Sequence, residues 1–151
     1  MKTLILTHST PTGINYKVCE DISSIVNGSI HNIQIVMVTE ASEPHFENVD
    51  KIIMVIPEWN GSIPWTFKKL IDDSGWPSFF LGKQVLLIGT ANTSFGNVTG
   101  VSHMNQILEW IGSKTFHKKV YIPEIKNYIT EDIENPTHTR LRNVVLEFIE
   151  A

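Results

Sequence analysis

An α/β fold built on a parallel sheet is the class this sequence predicts. Short apolar runs recur at residues 3–7, 33–38, 51–56, 85–88 and 119–122. Between them lie segments whose apolar residues repeat at helical spacing. The runs are continuous rather than alternating, as in strands covered on both faces.

Each element has its own signal. Residues 3–7 form the first strand, and a polar turn follows at residues 8–13. Ile14, Val18, Ile22, Ile25 and Val26 share one helical face, and Asn27-Gly28 stops that helix. Residues 33–38 are β-branched, a second buried strand, and residues 40–48 are a polar, proline-bearing connection. Residues 51–56 make the third strand. Pro64 stands in the first turn of the next helix, which ends near Asp73-Ser74-Gly75. Residues 76–82 are irregular and aromatic. Residues 85–88 are the fourth strand, and residues 89–99 are a loop rich in Gly, Asn, Thr and Ser. Val101, Met104, Leu108 and Ile111 mark a helix closed by Gly112. Residues 119–122 are the fifth strand, Asn135-Pro136 breaks the chain, and Leu141, Val144, Val145, Phe148 and Ile149 form a last amphipathic helix. Five strands in 151 residues suit a three-layer sandwich with a five-stranded parallel sheet in the flavodoxin-like order 2-1-3-4-5.

Bulk properties narrow the function. The whole of residues 1–151 reads as a single domain, long enough for a core without staples. A net charge of −4 supplies no basic field for nucleic acid or anionic membrane. One cysteine, Cys19, excludes a disulfide framework. No apolar stretch approaches the roughly 20 residues of a membrane span, and the apolar N-terminal run is too short for a signal peptide. A cytoplasmic enzyme or carrier is the expectation.

In that strand order, strands one, three and four are neighbours, so the loops at their carboxyl ends converge, where open α/β sheets bind ligands. The first loop, His8-Ser9-Thr10-Pro11-Thr12-Gly13-Ile14-Asn15, sets hydroxyls and a glycine before a helix N-terminus, a pocket for a phosphate monoester. The same Ser, Thr and Asn residues could instead only cap the helix. No Gly-x-Gly-x-x-Gly follows strand one and no Walker-type Gly-Lys-Ser/Thr occurs, which leaves a mononucleotide phosphate. The second loop, Pro57-Glu58-Trp59-Asn60-Gly61-Ser62-Ile63-Pro64, offers an aromatic, a carboxylate, an amide and accessible backbone to a planar ring. The third runs from Gly89 through Thr90, Ala91, Asn92, Thr93, Ser94, Phe95 and Gly96 to Gly100; Asn97 and Thr99 there are equally helix caps or ligand contacts.

The second loop resembles the Pro-Glu-Tyr-Asn-x-Ser-x-Pro signature of the NADPH-dependent FMN reductase family, with Trp59 in place of tyrosine. Phe67-Lys68-Lys69-Leu70-Ile71-Asp72 resembles that family's next helix, and Gly82-Lys83-Gln84-Val85-Leu86-Leu87-Ile88-Gly89 its fourth strand. The resemblance runs from about residue 3 to residue 123. It implies FMN as cofactor, with NADPH or NADH as electron donor. Ser9, Thr10, Thr12, Gly13 and Asn15 would hold the phosphate; Pro57, Glu58, Trp59, Asn60, Gly61 and Ser62 the ring; and Thr90, Ala91, Asn92, Phe95 and Gly96 its pyrimidine side. It also implies a homodimer and a quinone, azo compound, free flavin or metal oxyanion as small-molecule acceptor. No acid-base side chain is assigned as catalytic, because the flavin carries the chemistry. The first loop departs from the family: it has Pro11 where an arginine is usual and is similar to the Thr-x-Thr-Gly-x-Thr loop of flavodoxins. The alternative is therefore an FMN electron-transfer protein without NAD(P)H activity of its own.

The remaining chemistry-bearing residues are expected to be structural. His8, His31, His45, His103, His117 and His138 lack metal-ligand spacing, and His8 alone stands at a candidate site, since it opens the first loop, where it is otherwise a polar strand end. Cys19 reads as a packed small residue. Trp65, Trp76, Phe79 and Phe80 could form an apolar rim, as a dimer contact, a substrate wall or core.

Overall fold

The structure is a computed structural model that describes residues 2–27, 32–43, 45–130 and 134–151. Gly28, His31 and Pro44, used above, lie outside the described residues. The described elements are β1 (Lys2–Thr7), α1 (Ile14–Val26), β2 (Asn32–Met37), β3 (Lys51–Pro57), α2 (Trp65–Asp72), β4 (Gln84–Thr90), α3 (Val98–Trp110), β5 (Lys114–Thr115), β6 (Val120–Ile122) and α4 (Pro136–Glu150).

The sheet is parallel throughout, in the order β2-β1-β3-β4-β5, with β6 also paired to β4. The predicted order holds, but the fifth strand position is filled by two short pieces. β5 lies beside Gln84 and Val85, and β6 beside Ile88 to Thr90. Phe116 N still donates to the Val85 carbonyl at 2.8 Å and its ring packs on Phe148; the ladder is interrupted over residues 117–119. Lys119 Nζ donates to the Phe116 carbonyl across this interruption. Sequence reading found β6 and missed β5, because two residues such as Lys114-Thr115 carry no periodicity.

Residue alternation along the strands divides the core in two. Ile5, Ile53, Val55, Leu86 and Ile88 face α1 and α4. Leu4, Leu6, Ile52, Met54, Ile56, Val85 and Leu87 face α2, α3 and Phe80. Both sheet faces are thus covered, which is why the strands read as unbroken apolar runs. Every residue of β3 is buried, Lys51 included. Lys51 Nζ donates to the Phe148 and Ile149 carbonyls at 2.6 and 2.9 Å. It thereby serves the otherwise unpaired C-terminal carbonyls of α4. Burial pulls its ammonium below the usual lysine range.

Two breaks in the sequence are helix starts. Asn135 caps α4, its Oδ1 accepting from Thr137 N at 2.7 Å, and Pro136 is the first helical residue. Pro64 directly precedes α2 rather than lying within its first turn. The register then places the site. Thr7 aligns with Val55, Val55 with Ile88, and Pro57 with Thr90. β3 and β4 therefore run two residues past β1, and the ring and third loops stand above the first.

Candidate functional site at the carboxyl edge of the sheet

The first loop is a tight turn closed by Gly13 N donating to the Thr10 carbonyl at 2.9 Å, with Pro11 and Thr12 at its centre. Ser9 Oγ lies over Gly13, so a Cβ at position 13 would collide with it. Gly13 precedes α1 in extended conformation, and no side chain caps the helix. The capping alternative therefore does not hold. Among the described residues the first-turn amides of α1 have no partner, beside the half-buried Ser9 and the exposed Thr10 and Thr12. Asn15 does not face this opening with its carbonyl: its Oδ1 accepts from Thr90 Oγ1 at 2.5 Å. Thr90 is fully buried, so this pair braces α1 against the end of β4.

The ring loop leaves β3 at Pro57, which is buried. Glu58 N extends the ladder by donating to the Thr90 carbonyl at 2.8 Å. Trp59 and Ser62 then exchange both backbone hydrogen bonds, at 3.1 and 3.0 Å. Between them Asn60 and Gly61 both have positive φ, +47° and +73°. This is a two-residue hairpin of type I′, for which Asn-Gly is the preferred pair. The amides of Trp59 and Ser62 are consumed, while those of Asn60 and Gly61 have no protein partner among the described residues.

Side chains fix the two corners of this hairpin. The Trp59 indole, 43% exposed, stands edge-to-face against His8, with ring centroids 4.7 Å apart. His8 Nδ1 lies 3.2 Å from the Val38 carbonyl and 2.9 Å from Thr66 Oγ1. Ser62 Oγ lies 2.8 Å from His103 Nδ1 on α3. Sequence reading missed both partners, because nothing in the sequence shows that residues 41 positions apart meet.

The third loop is largely occupied with its own structure. Ala91 is buried and uses both backbone groups, with the Ile122 carbonyl and Ile125 N. Gly96 has φ +60° and sits against β6, where a Cβ would come within 2.8 Å of Ile122 N. Asn97 is a cap: Oδ1 accepts from Gly100 N at 3.0 Å, and Nδ2 donates to the Ile56 carbonyl at 3.1 Å. The exposed crest is Asn92, Thr93, Ser94 and Phe95, the last 74% exposed. Thr93 Oγ1 reaches Glu58 Oε2 at 3.4 Å, a long contact.

The three loops contain no lysine or arginine; His8 and Glu58 are their ionisable groups. The nearest cation on α1, Lys17, is paired with Asp21 at 2.8 Å. Positive potential at the first loop thus comes from the α1 terminus itself. The other histidines lie apart: His45 is edge-on to Phe79, His117 is 3.6 Å from Glu147, and His138 stacks on Tyr128. Cys19 is buried, and burial pushes its thiol up to about 12. Of the expected apolar rim, Phe80 is core, whereas Trp65 and Trp76 are exposed, as is Trp110.

An uncapped helix terminus, a hairpin with two open amides and an exposed aromatic crest share one edge of the sheet. Such a set suits a ligand with an anionic tail and a flat, polar-edged ring. The sequence model of the family described as NADPH-dependent FMN reductase matches residues 36–127. No curated protein is a detectable sequence relative. Among solved structures, oxidised Flavodoxin 2 from Bacillus cereus is similar at TM-score 0.77 and 18% identity, covering 99% of each chain. FerB, a flavoenzyme NAD(P)H:(acceptor) oxidoreductase from Paracoccus denitrificans, is similar at TM-score 0.75 and 15% identity, covering 99% of this chain and 95% of that one. The apo NADH:FMN oxidoreductase EMOB is similar at TM-score 0.78 and 13% identity, covering 97% and 87%. At these identities the likeness is one of fold.

Proposed function

The chain belongs to the NADPH-dependent FMN reductase family, and we propose that it binds FMN at this edge and acts as an NAD(P)H oxidoreductase. The observation that carries the reading is the open N-terminus of α1 joined, through the Asn15–Thr90 bond and the Glu58–Thr90 ladder bond, to the hairpin of the ring loop. The residues present fit the cofactor. Gly13 lets the Ser9 hydroxyl close over the turn that leads into α1, because a Cβ there would strike it. The two amides at the hairpin tip are unpaired donors suited to ring carbonyl and nitrogen acceptors.

Bound there, FMN would supply the chemistry, accepting hydride from a nicotinamide and passing electrons to a quinone, azo compound, free flavin or metal oxyanion. The chain's own part is to bind and orient. Ser9, Thr10 and Thr12 hydroxyls and the α1 amides would take the phosphate. Trp59 and Phe95, exposed on adjacent loops, would wall the ring. Glu58, half-buried below the hairpin, sets a carboxylate near the site.

A specific observation favours the second reading, an FMN electron-transfer protein without nicotinamide activity. The first loop holds no cation and closes as a Thr-Pro-Thr-Gly turn, and flavodoxins are among the similar folds. The deciding experiment is anaerobic addition of NADPH, then NADH, to the FMN-loaded protein. Rapid loss of the yellow colour supports the oxidoreductase; colour that ignores both donors but bleaches with dithionite supports the carrier.

A homodimer is part of the proposal. Trp65, Trp76 and Trp110 are 50%, 77% and 85% exposed, and tryptophan is enriched at interfaces. Light scattering on the purified protein should give twice the chain mass, and a monomer at micromolar concentration contradicts it. Among the described residues no helix is long and apolar enough to cross a membrane.

A further inference from the structure

The ring loop has only a small structural base of its own. A two-residue hairpin with one reciprocal pair of backbone bonds is marginal in water, so its pose is set by what its corners touch. Each corner is touched by a histidine outside the octapeptide. The first corner, Trp59, rests against His8 at the end of β1. The last, Ser62, bonds His103 on α3. His8 is itself held in place: its Nδ1 lies against both the Val38 carbonyl and Thr66 Oγ1, which fixes the ring between β2 and α2. The hairpin is thus held at both ends by elements from different parts of the fold, and only Asn60 and Gly61 are left to present their amides.

We propose that His103, through Ser62, and His8, through Trp59, are positioning residues that clamp the ring loop in its flavin-binding pose. This rests on the flavin reading given above. The clamp acts on the ring subsite and not on the phosphate subsite, so it makes a prediction that simple unfolding does not. Loss of either histidine weakens FMN and lumiflavin, the ring without ribityl phosphate, by the same factor.

The experiment is flavin fluorescence quenching with both ligands on wild type, His103→Ala, Ser62→Ala, the double variant, His103→Gln and His8→Ala, with thermal midpoints alongside. Loss of one side-chain hydrogen bond corresponds to about five- to tenfold weaker binding. His103→Ala and Ser62→Ala should each show that loss for both flavins, and the double variant should be no worse than either single one. His103→Gln, which keeps a donor and an acceptor, should recover most of the affinity. His8→Ala should weaken both flavins by a factor that multiplies with that of His103→Ala. The midpoint of His103→Ala should stay at the wild-type value, because the pair is exposed. Wild type that binds both flavins while the variants bind equally well overturns the clamp alone. So does a loss confined to FMN, or a double variant in which the single losses multiply. Wild type that binds neither flavin overturns the flavin reading and the clamp with it.

Discussion

Gly61 and Asn97 both adopt left-handed backbone, yet they respond differently to substitution. At Gly61 an added Cβ meets nothing within 4 Å, so Gly61→Ala carries only the backbone strain, about 1 kcal/mol. Its thermal midpoint should fall by a few degrees, and its flavin affinity should fall with it. Asn97 combines a helix cap, a buried bond to the Ile56 carbonyl and φ +60°. Asn97→Ala loses the cap and the bond, leaves alanine strained at positive φ, and should cost about 3 kcal/mol, visible as a clear drop in urea midpoint. Cys19 makes a pH prediction. Its thiol titrates at about 12 when folded against 9.0 for an exposed thiol, because burial penalises the thiolate. The unfolded chain therefore ionises first. This contribution is fully present below pH 9.0 and is lost as pH rises toward 12. Urea midpoints of wild type should fall more steeply over that range than those of Cys19→Ala, and iodoacetamide at pH 8 should label Cys19 only after denaturant is added. Parallel curves, or rapid labelling of the folded protein, would refute the assignment.

At the scale of elements, α4 is held to the start of β3 by Lys51. Lys51→Met keeps the volume but strands the Phe148 and Ile149 carbonyls. It should destabilise by about 2 kcal/mol, with amide exchange fastest in the last turn of α4. That contact also shows what the sequence could convey. β1, β3 and β4 were legible because each is buried on both faces and reads as an apolar run. The short pair Lys114-Thr115 was not, since its place depends on ladder bonds to β4. The ring loop was legible as a motif at a strand-to-helix junction, but the hairpin turn at Asn60-Gly61 went unread. What holds the loop was hidden, because His8, Thr66, Ser62 and His103 meet only through the fold. The third loop was read from position alone. Buried Ala91 and Gly96 prove to be part of its packing against β6, while Asn92 and Phe95 stand on its exposed crest.

Across the whole molecule the three loops meet because the sheet order makes β1, β3 and β4 adjacent and the register brings their ends together, and the proposed function makes them one receptor. The receptor has no cationic side chain and belongs to a chain of net charge −4. In the proposed binding mode helix-terminus amides and hydroxyls would carry the phosphate, and added salt would have no long-range attraction to screen. FMN affinity should accordingly change less than threefold, an order-of-magnitude bound, between low and roughly 0.3 M salt. A steep fall would mean that a lysine or arginine from elsewhere reaches the phosphate. The most direct test of the central claim is a visible absorption spectrum of the protein incubated with FMN and freed of excess ligand by gel filtration. A retained flavin band is expected, weakened in a Gly13→Leu variant, whose Cβ alone would strike Ser9 Oγ and crowd Thr10 in the phosphate loop. A colourless protein that also leaves FMN fluorescence unchanged on titration would contradict it.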